Sequence, residues 1–224
     1  LSPDNLKTWY PVTARTFASL TVVDHPLLQR DLTVLRDRLT PPGLFRERLS
    51  DAASILAYEA MRSLRVTSVS VETPLETTTG SRLADDVVVV SILRAGLGMV
   101  DGFVRFVPEA RIGHLGMYRD EETRRPVDYY SSIPRNIEDS MVFVVDPMLA
   151  TGGSACAAID HLKKGGGRRF AFVCLVAAPE GVLRLSRRHP DVSIMAAVLD
   201  RELDERAYIR PGLGDAGDRT FGTL

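Results

Sequence analysis

Cysteine is scarce in this chain. Only Cys156 and Cys174 are present among 224 residues, one in a helical stretch and one in an apolar strand. Both read as reduced, buried small residues, as in a cytoplasmic protein. The four histidines, His25, His114, His161 and His189, are scattered without ligand spacing, so no metal site made by protein side chains is predicted. No apolar run reaches the roughly 18 residues that a spanning helix needs, and the opening LSPDNLKTWYP lacks a signal-peptide pattern. Runs of like charge are also missing, and the net charge is −1. Neither a nucleic-acid role nor a membrane-surface role therefore gains support. There is no internal repeat and no low-complexity segment. What is left is 45% hydrophobic and 25% charged, an ordinary composition for one soluble domain with a substantial core.

The most informative stretch runs from Val142 to Gly166. Met141 to Val145 is apolar and β-branched, as in a buried strand. Asp146 to Ser154 breaks that pattern with Pro147, Gly152 and Gly153. Helical spacing then resumes at Ala155, Ala158, Ile159 and Leu162, and Lys163 and Lys164 close the last turn. Strand, tight polar loop and helix together place backbone N–H groups around an anion. Thr151 and Ser154 add hydroxyls, and the glycines allow close approach. A bare TGGS could be an ordinary turn. With a carboxylate, Asp146, at the strand end it suggests a sugar phosphate, whose diol the acid can accept from. The loop matches neither of the common nucleotide-binding fingerprints.

The segment DPMLATGGS resembles the ribose-phosphate-diphosphate (PRPP) loop of type I phosphoribosyltransferases, in the uracil branch. Most of that superfamily carries two adjacent acids here; Pro147 after Asp146 departs from it but fits the uracil branch. Three further motifs carry the resemblance, which extends from about His25 to the C-terminus. SILRAGLG is similar to the family's diphosphate loop, with Arg94 at the end of the continuous apolar strand from Asp85 to Leu93. GMYRDEET is similar to its second PRPP arginine site, at Arg119. YIRPGLGDAGDRTFG is similar to the uracil-binding segment, and its apolar residues favour an ordered loop.

The rest of the chain predicts an α/β fold. Leu28, Leu32, Leu35 and Leu39 mark a helix with Asp24 near its cap and Pro26 in its first turn; TPPG ends it. A second helix begins near Leu44, with Phe45, Leu49, Ala52, Leu56 and Ala60 facing inward. SVSVETPLETTTG is extended around a turn, and Gly96 and Gly98 make the turn after Arg94. RDEETRRPVDYYSSIPRNIEDS is charged, with Tyr129 and Tyr130, and reads as a hairpin lid over a polyanion; Arg124 and Arg125 read as solvated charges. RRFAFVCLVA and HPDVSIMAAVLD supply further strands. The expected architecture is a type I phosphoribosyltransferase-like three-layer fold, with a parallel central sheet, a flexible hairpin lid and an N-terminal helical segment. Residues 1–23 read as an arm that Trp9 and Tyr10 could dock on a neighbour, and residues 24–224 as a single domain.

The resemblance implies conversion of uracil and PRPP to UMP and diphosphate in pyrimidine salvage. It places Asp146 on the ribose hydroxyls, Pro147 among the PRPP-binding residues, and Met148, Leu149, Ala150, Thr151, Gly152, Gly153 and Ser154 around the 5′-phosphate. Arg94 and Arg119 fall on the leaving diphosphate, and Mg²⁺ is held mainly through substrate and water. Tyr208, Ile209, Gly214, Asp215 and Ala216 fall at uracil, with Asp215 near both substrates. Asp215, Arg94 and Arg119 are the implied catalytic residues. A homodimer or homotetramer, and activation by GTP in part of the family, belong to the same expectation. Two alternatives remain. One keeps PRPP with a purine base such as xanthine or guanine, against which the tail counts. The other is a regulatory module that binds UMP, RNA or a protein, against which the full set of site residues counts.

Overall fold

Strands that are apolar on both faces need cover from two sides, and the computed structural model has helices above and below a single large sheet. It describes residues 17–119 and 126–223, and the side chains of residues 118–129 lie outside that description. In chain order the elements are β1 (Leu20–Val22), α1 (Pro26–Arg36), α2 (Pro42–Ala60), β2 (Val66–Glu72), β3 (Thr77–Leu83), β4 (Val87–Leu93) and α3 (Leu97–Val104). They continue with β5 (Arg111–Arg119), β6 (Pro126–Ser132), β7 (Met141–Val145), β8 (Met148–Leu149), α4 (Gly153–Lys164), β9 (Arg169–Ala177) and α5 (Pro179–Arg188). The last are β10 (Ser193–Leu199), β11 (Glu202–Leu203), β12 (Ile209–Arg210) and α6 (Ala216–Phe221).

The main sheet has the order β1-β10-β9-β7-β4-β5-β6, with β8 pairing on β9. Only β5 and β6 run antiparallel in it. Alternate residues of the central strands supply two cores. Val87, Val89, Phe143, Val145 and Val173 pack with α1, α2 and α3, where Phe103 and Phe143 approach to 5.4 Å between ring centroids. Val88, Val90, Val142, Val144 and Phe172 pack with α4 and α5 through Ala158, Ile159, Leu162, Val182 and Leu185. This is the three-layer α/β arrangement that the repeated strand–helix pattern predicts. At the foot of β4, buried Asp85 accepts from the Arg65 main-chain N–H at 2.7 Å and from Arg169, tying β2 and β9 to β4.

Several local expectations are corrected. The cap of α1 is His25, whose Nδ1 accepts from the Leu27 N–H at 3.2 Å, while Asp24 accepts from Gln29 instead. Leu39 lies past the end of α1 and is exposed. Gly98 sits inside α3, so the turn after Arg94 is shorter than the two glycines suggested. Leu20 to Val22, placed in the arm from sequence, form an edge strand parallel to β10. The tail is not only a loop, since it contains the β11–β12 ladder and α6. Trp9, Tyr10, Arg124 and Arg125 lie outside the described residues.

Phe143 is fully buried between the sheet and α3, whereas Leu75 at the β2–β3 tip is 95% exposed. Phe143→Ala is expected to cost about 3–5 kcal/mol, and Leu75→Ala to stay within about 0.5 kcal/mol. Urea unfolding monitored by circular dichroism measures both.

Candidate active site

The chain leaves β4 through α3 towards β5 on one side, and leaves β7 through α4 towards β9 on the other. Neighbouring parallel strands whose connections depart in opposite directions open a crevice at their C-terminal ends. Ser91 pairs with Val145, so the loops carrying Arg94 and Asp146 begin at the same edge. Gly96 closes the seam between them. A Cβ there would stand 2.5 Å from the Val145 carbonyl oxygen and 2.6 Å from that of Ile92, so no side chain fits.

The Asp146–Ser154 loop is anchored by main chain. The Pro147 carbonyl accepts from the Leu175 and Val176 N–H groups at 3.1 and 3.0 Å, and the Leu149 carbonyl from the Ala178 N–H at 2.9 Å. Met148 and Leu149 pair with β9, an ordered rung within what reads from sequence as an irregular loop. Pro147 and Leu149 are buried and their carbonyls are taken by residues 175–178, so they anchor the loop. Gly152 has φ +72° and precedes α4 with no side-chain cap, so the first-turn N–H groups face outward. Thr151 Oγ1 accepts from the Gly153 N–H at 3.4 Å, and Ser154 is exposed on the first turn. Arg184 of α5 brings Nη1 to 3.5 Å from the Thr151 carbonyl. That cation at the loop was not found from sequence, because RLSRRH reads as an ordinary solvated helix face.

Asp146 accepts from the Met148 N–H at 3.2 Å. Burial pushes its carboxyl up to about 7, and the charge of Asp215 adds to the rise. The structure therefore brings the two acids, from opposite ends of the sequence motifs, into electrostatic reach.

Asp215 caps α6, with Oδ1 accepting from the Asp218 N–H at 2.9 Å. Asp218 in turn holds Arg94, Nη2 to Oδ1 at 2.9 Å. Tyr208, Ile209 and Gly214 line a cleft of about 910 Å³ with Glu202, Asp204 and Arg210. Ala216, at the start of α6, is buried. Gly214 has φ +78°, a left-handed conformation that strongly favours glycine. Arg119 ends β5 at the same sheet edge, three residues past Gly116, the partner of Leu93; its side chain lies outside the described residues.

Two braces that hold this tail were missed from sequence. Arg36 donates to both Asp200 carboxylate oxygens at 2.9 and 2.7 Å and to the Gly212 carbonyl at 2.8 Å, while the Gly212 N–H donates to Asp200. Arg219 stacks over Phe45 at 4.5 Å and donates to the carbonyls of Leu35, Asp37 and Leu213. The bonds to Leu35, Asp37 and Asp200 join residues more than 150 positions apart, which local patterning does not reveal.

The raised pKa of Asp146 has a definite sign for stability. The unfolded carboxyl ionises near 3.8 and the folded one near 7, so the folded state holds more protons between those values and loses stability as pH rises through them. Asp146→Asn is expected to be stabilising by roughly 1–3 kcal/mol at pH 8 and nearly neutral at pH 4. Urea midpoints at the two pH values check this, and an equal effect at both would contradict it.

Comparison with known proteins agrees with this geometry. A family model described as uracil phosphoribosyltransferase matches residues 22–223. A uracil phosphoribosyltransferase of Salinibacter ruber is 70% identical over 205 residues, covering 92% of this chain and 98% of its own. Another, from Listeria innocua, is 54% identical over 207 residues, covering 92% and 99%. Among solved structures, the AQ2163 protein of Aquifex aeolicus superposes with a TM-score of 0.86 at 34% identity, over 90% of this chain and 97% of its own. The chain belongs to the uracil phosphoribosyltransferase family.

Proposed function

We propose that the protein transfers the 5-phosphoribosyl group of PRPP to N1 of uracil, giving UMP and diphosphate in pyrimidine salvage. The observation that carries this reading is the convergence of Asp146, Arg94 and Asp215 at one crevice beside an anion loop, in a member of this family. The transfer breaks the ribose C1–O bond to diphosphate and forms a C1–N bond. Positive charge develops on the ribose between those events, so the protein's tasks are positioning and charge stabilisation.

In this reading Asp146, ionised, accepts from the ribose hydroxyls. The main chain from Met148 to Ser154 and the Thr151 and Ser154 hydroxyls take the 5′-phosphate. Arg94 and Arg119 hold the leaving diphosphate with permanent charge and forked geometry. Asp215 stands next to both substrates. For the metal, the acids at the crevice are Asp146 and Asp215, and no group of three or more His, Cys, Asp or Glu forms a cage among the described residues. That donor set fits Mg²⁺ held mainly through PRPP and water, with these acids facing it. When bound, the ion supplies neutralisation of the diphosphate charge.

Uracil offers acceptor, donor and acceptor along O2, N3–H and O4. The main chain of Ile209 and of Gly214 to Ala216 is proposed to match that edge. The cleft lined by Tyr208, Ile209 and Gly214 supports this placement. Residues 24–224 form the proposed catalytic domain, with the strand Leu20–Val22 borrowed from the preceding arm. A cytoplasmic homodimer or homotetramer completes the reading. The largely exposed β2–β3 hairpin and the neighbouring exposed Tyr58, Leu83 and Phe106 support self-association through this face. Activation by GTP rests on the family resemblance alone.

UMP formation from uracil and PRPP with Mg²⁺ is the direct assay; purines in place of uracil, or binding without turnover, would point to the alternatives. Gly214→Val is expected to abolish most activity because of its positive φ, while Ile209→Val should cost little. 5-Fluorouracil should be a substrate and cytosine should be refused by orders of magnitude, since one donor would then face another. Use of cytosine at a comparable rate would remove the tail from the base site.

The lid is tested separately. β5 and β6 pair antiparallel at the sheet edge, and residues 120–125 between them lie outside the described residues. Residues 119–139 are expected to gain hydrogen-exchange protection when PRPP binds. Strong and equal protection in both states would make the hairpin a fixed element.

A further inference from the structure

Arg94 does not reach into an empty crevice. Its guanidinium lies across α6, a helix more than a hundred residues later in the chain. Nη2 donates to Asp218 Oδ1 at 2.9 Å, Nη1 stands 3.5 Å from Thr223 Oγ1, and the group lies 5.8 Å from the centroid of the Phe221 ring. Asp218 is fixed from the other side, since Oδ1 also accepts from Thr223 Oγ1 at 2.6 Å. Its own N–H is the one that Asp215 caps, at 2.9 Å. Gly217 separates these groups: a Cβ there would meet Asp215 Oδ1 at 3.2 Å and Arg94 Nη2 at 3.8 Å. One turn of backbone therefore joins the arginine of the β4 loop to the aspartate expected to sit between both substrates.

We propose that Asp218 is a positioning residue, the resident counter-ion of Arg94, and that the pair is a latch which the diphosphate group must open. The inference rests on the reading of Arg94 as a diphosphate ligand. The guanidinium is about half exposed, so a second anion can reach it. A diphosphate carries several negative charges and cannot share the guanidinium with a carboxylate at 2.9 Å without like-charge repulsion. The carboxylate thus competes with the ligand. It holds the arginine in one place before PRPP arrives, and it retakes the arginine as the product diphosphate leaves. Loss of the competitor tightens diphosphate and slows its departure, whereas a residue with only a structural role weakens binding when it is altered.

Asp218→Asn keeps the size of the side chain and its acceptor for Thr223, and the helix cap is untouched because it uses the main-chain N–H. Titration calorimetry of magnesium diphosphate into wild type, Asp218→Asn, Arg94→Ala and the double variant tests the latch. Asp218→Asn is expected to bind diphosphate about two- to fivefold more tightly, the range of an exposed ion pair, with a lower KM for PRPP and no rise in kcat. Arg94→Ala should weaken diphosphate, and Asp218→Asn should add no gain in that background. If Arg94→Ala binds as wild type does, the diphosphate role of Arg94 fails and the latch falls with it. If Arg94→Ala weakens binding but Asp218→Asn is neutral, weaker, or equally tightening without Arg94, the latch alone is overturned.

Discussion

Side by side and parallel, β4 and β7 pair up to Ser91 and Val145, and everything at the site hangs from that pairing. Their crossovers cannot occupy the same face, because α3 and α4 each need a separate apolar surface of the sheet to cover. The crevice between the departing loops is the geometric consequence. What keeps it narrow is the contact of Gly96 with the end of β7, where even a methyl group would overlap a carbonyl oxygen. The same seam appears a second time at Gly152, where a Cβ would come within 2.8 Å of the Gly181 carbonyl oxygen and lift the anion loop off α5. Backbone packed against backbone is stiff, and stiffness is what an electrostatic site needs.

Charge in the crevice is arranged for a guest that brings more of it. Burial leaves Asp146 expensive to ionise, and the nearby charge of Asp215 adds to that cost. Such an arrangement lowers stability and is sustained by the core beneath it. On the other wall, Arg94 is neutralised within the protein by Asp218. The crevice thus contains an acid that is costly to ionise and an arginine already paired within the protein. In the proposed reading, a magnesium-bearing sugar diphosphate would supply partners for both at once: hydroxyls and a cation for the acids, phosphate oxygens for the arginine.

The parts of this design that local chemistry controls were readable from sequence. Met141 to Val145 and Val87 to Leu93 are strands because continuous β-branched residues leave few alternatives, and the loop after Val145 has to turn at Pro147 and Gly152. The helix faces of α1 and α2 follow from leucine and alanine spacing. What could not be read depends on partners distant in the chain. The cap of α1 fell to His25 rather than Asp24, since Gln29 claims the aspartate. Leu20 to Val22 become a strand only because β10 offers an edge. Arg36, Asp200 and Arg219 have the same composition as any surface charge, and only folding reveals that they clamp carbonyls of the tail.

Those clamps bear on how a base can be recognised. If uracil is read by main-chain donors and acceptors, no side chain at the edge can adjust for error, and the position of each carbonyl and N–H must be set from behind. Here Arg36 and Asp200 together take both the N–H and the carbonyl of Gly212, and Arg219 takes the carbonyl of Leu213. Gly214, next in line, has a conformation that strongly favours glycine. The segment that leads to the proposed base edge is therefore held at Gly212 and Leu213 by groups that do not line the cleft. Specificity encoded in this way would be distributed, resting on charged residues that do not line the cleft. Substituting them would change selectivity by moving the backbone rather than by removing a contact.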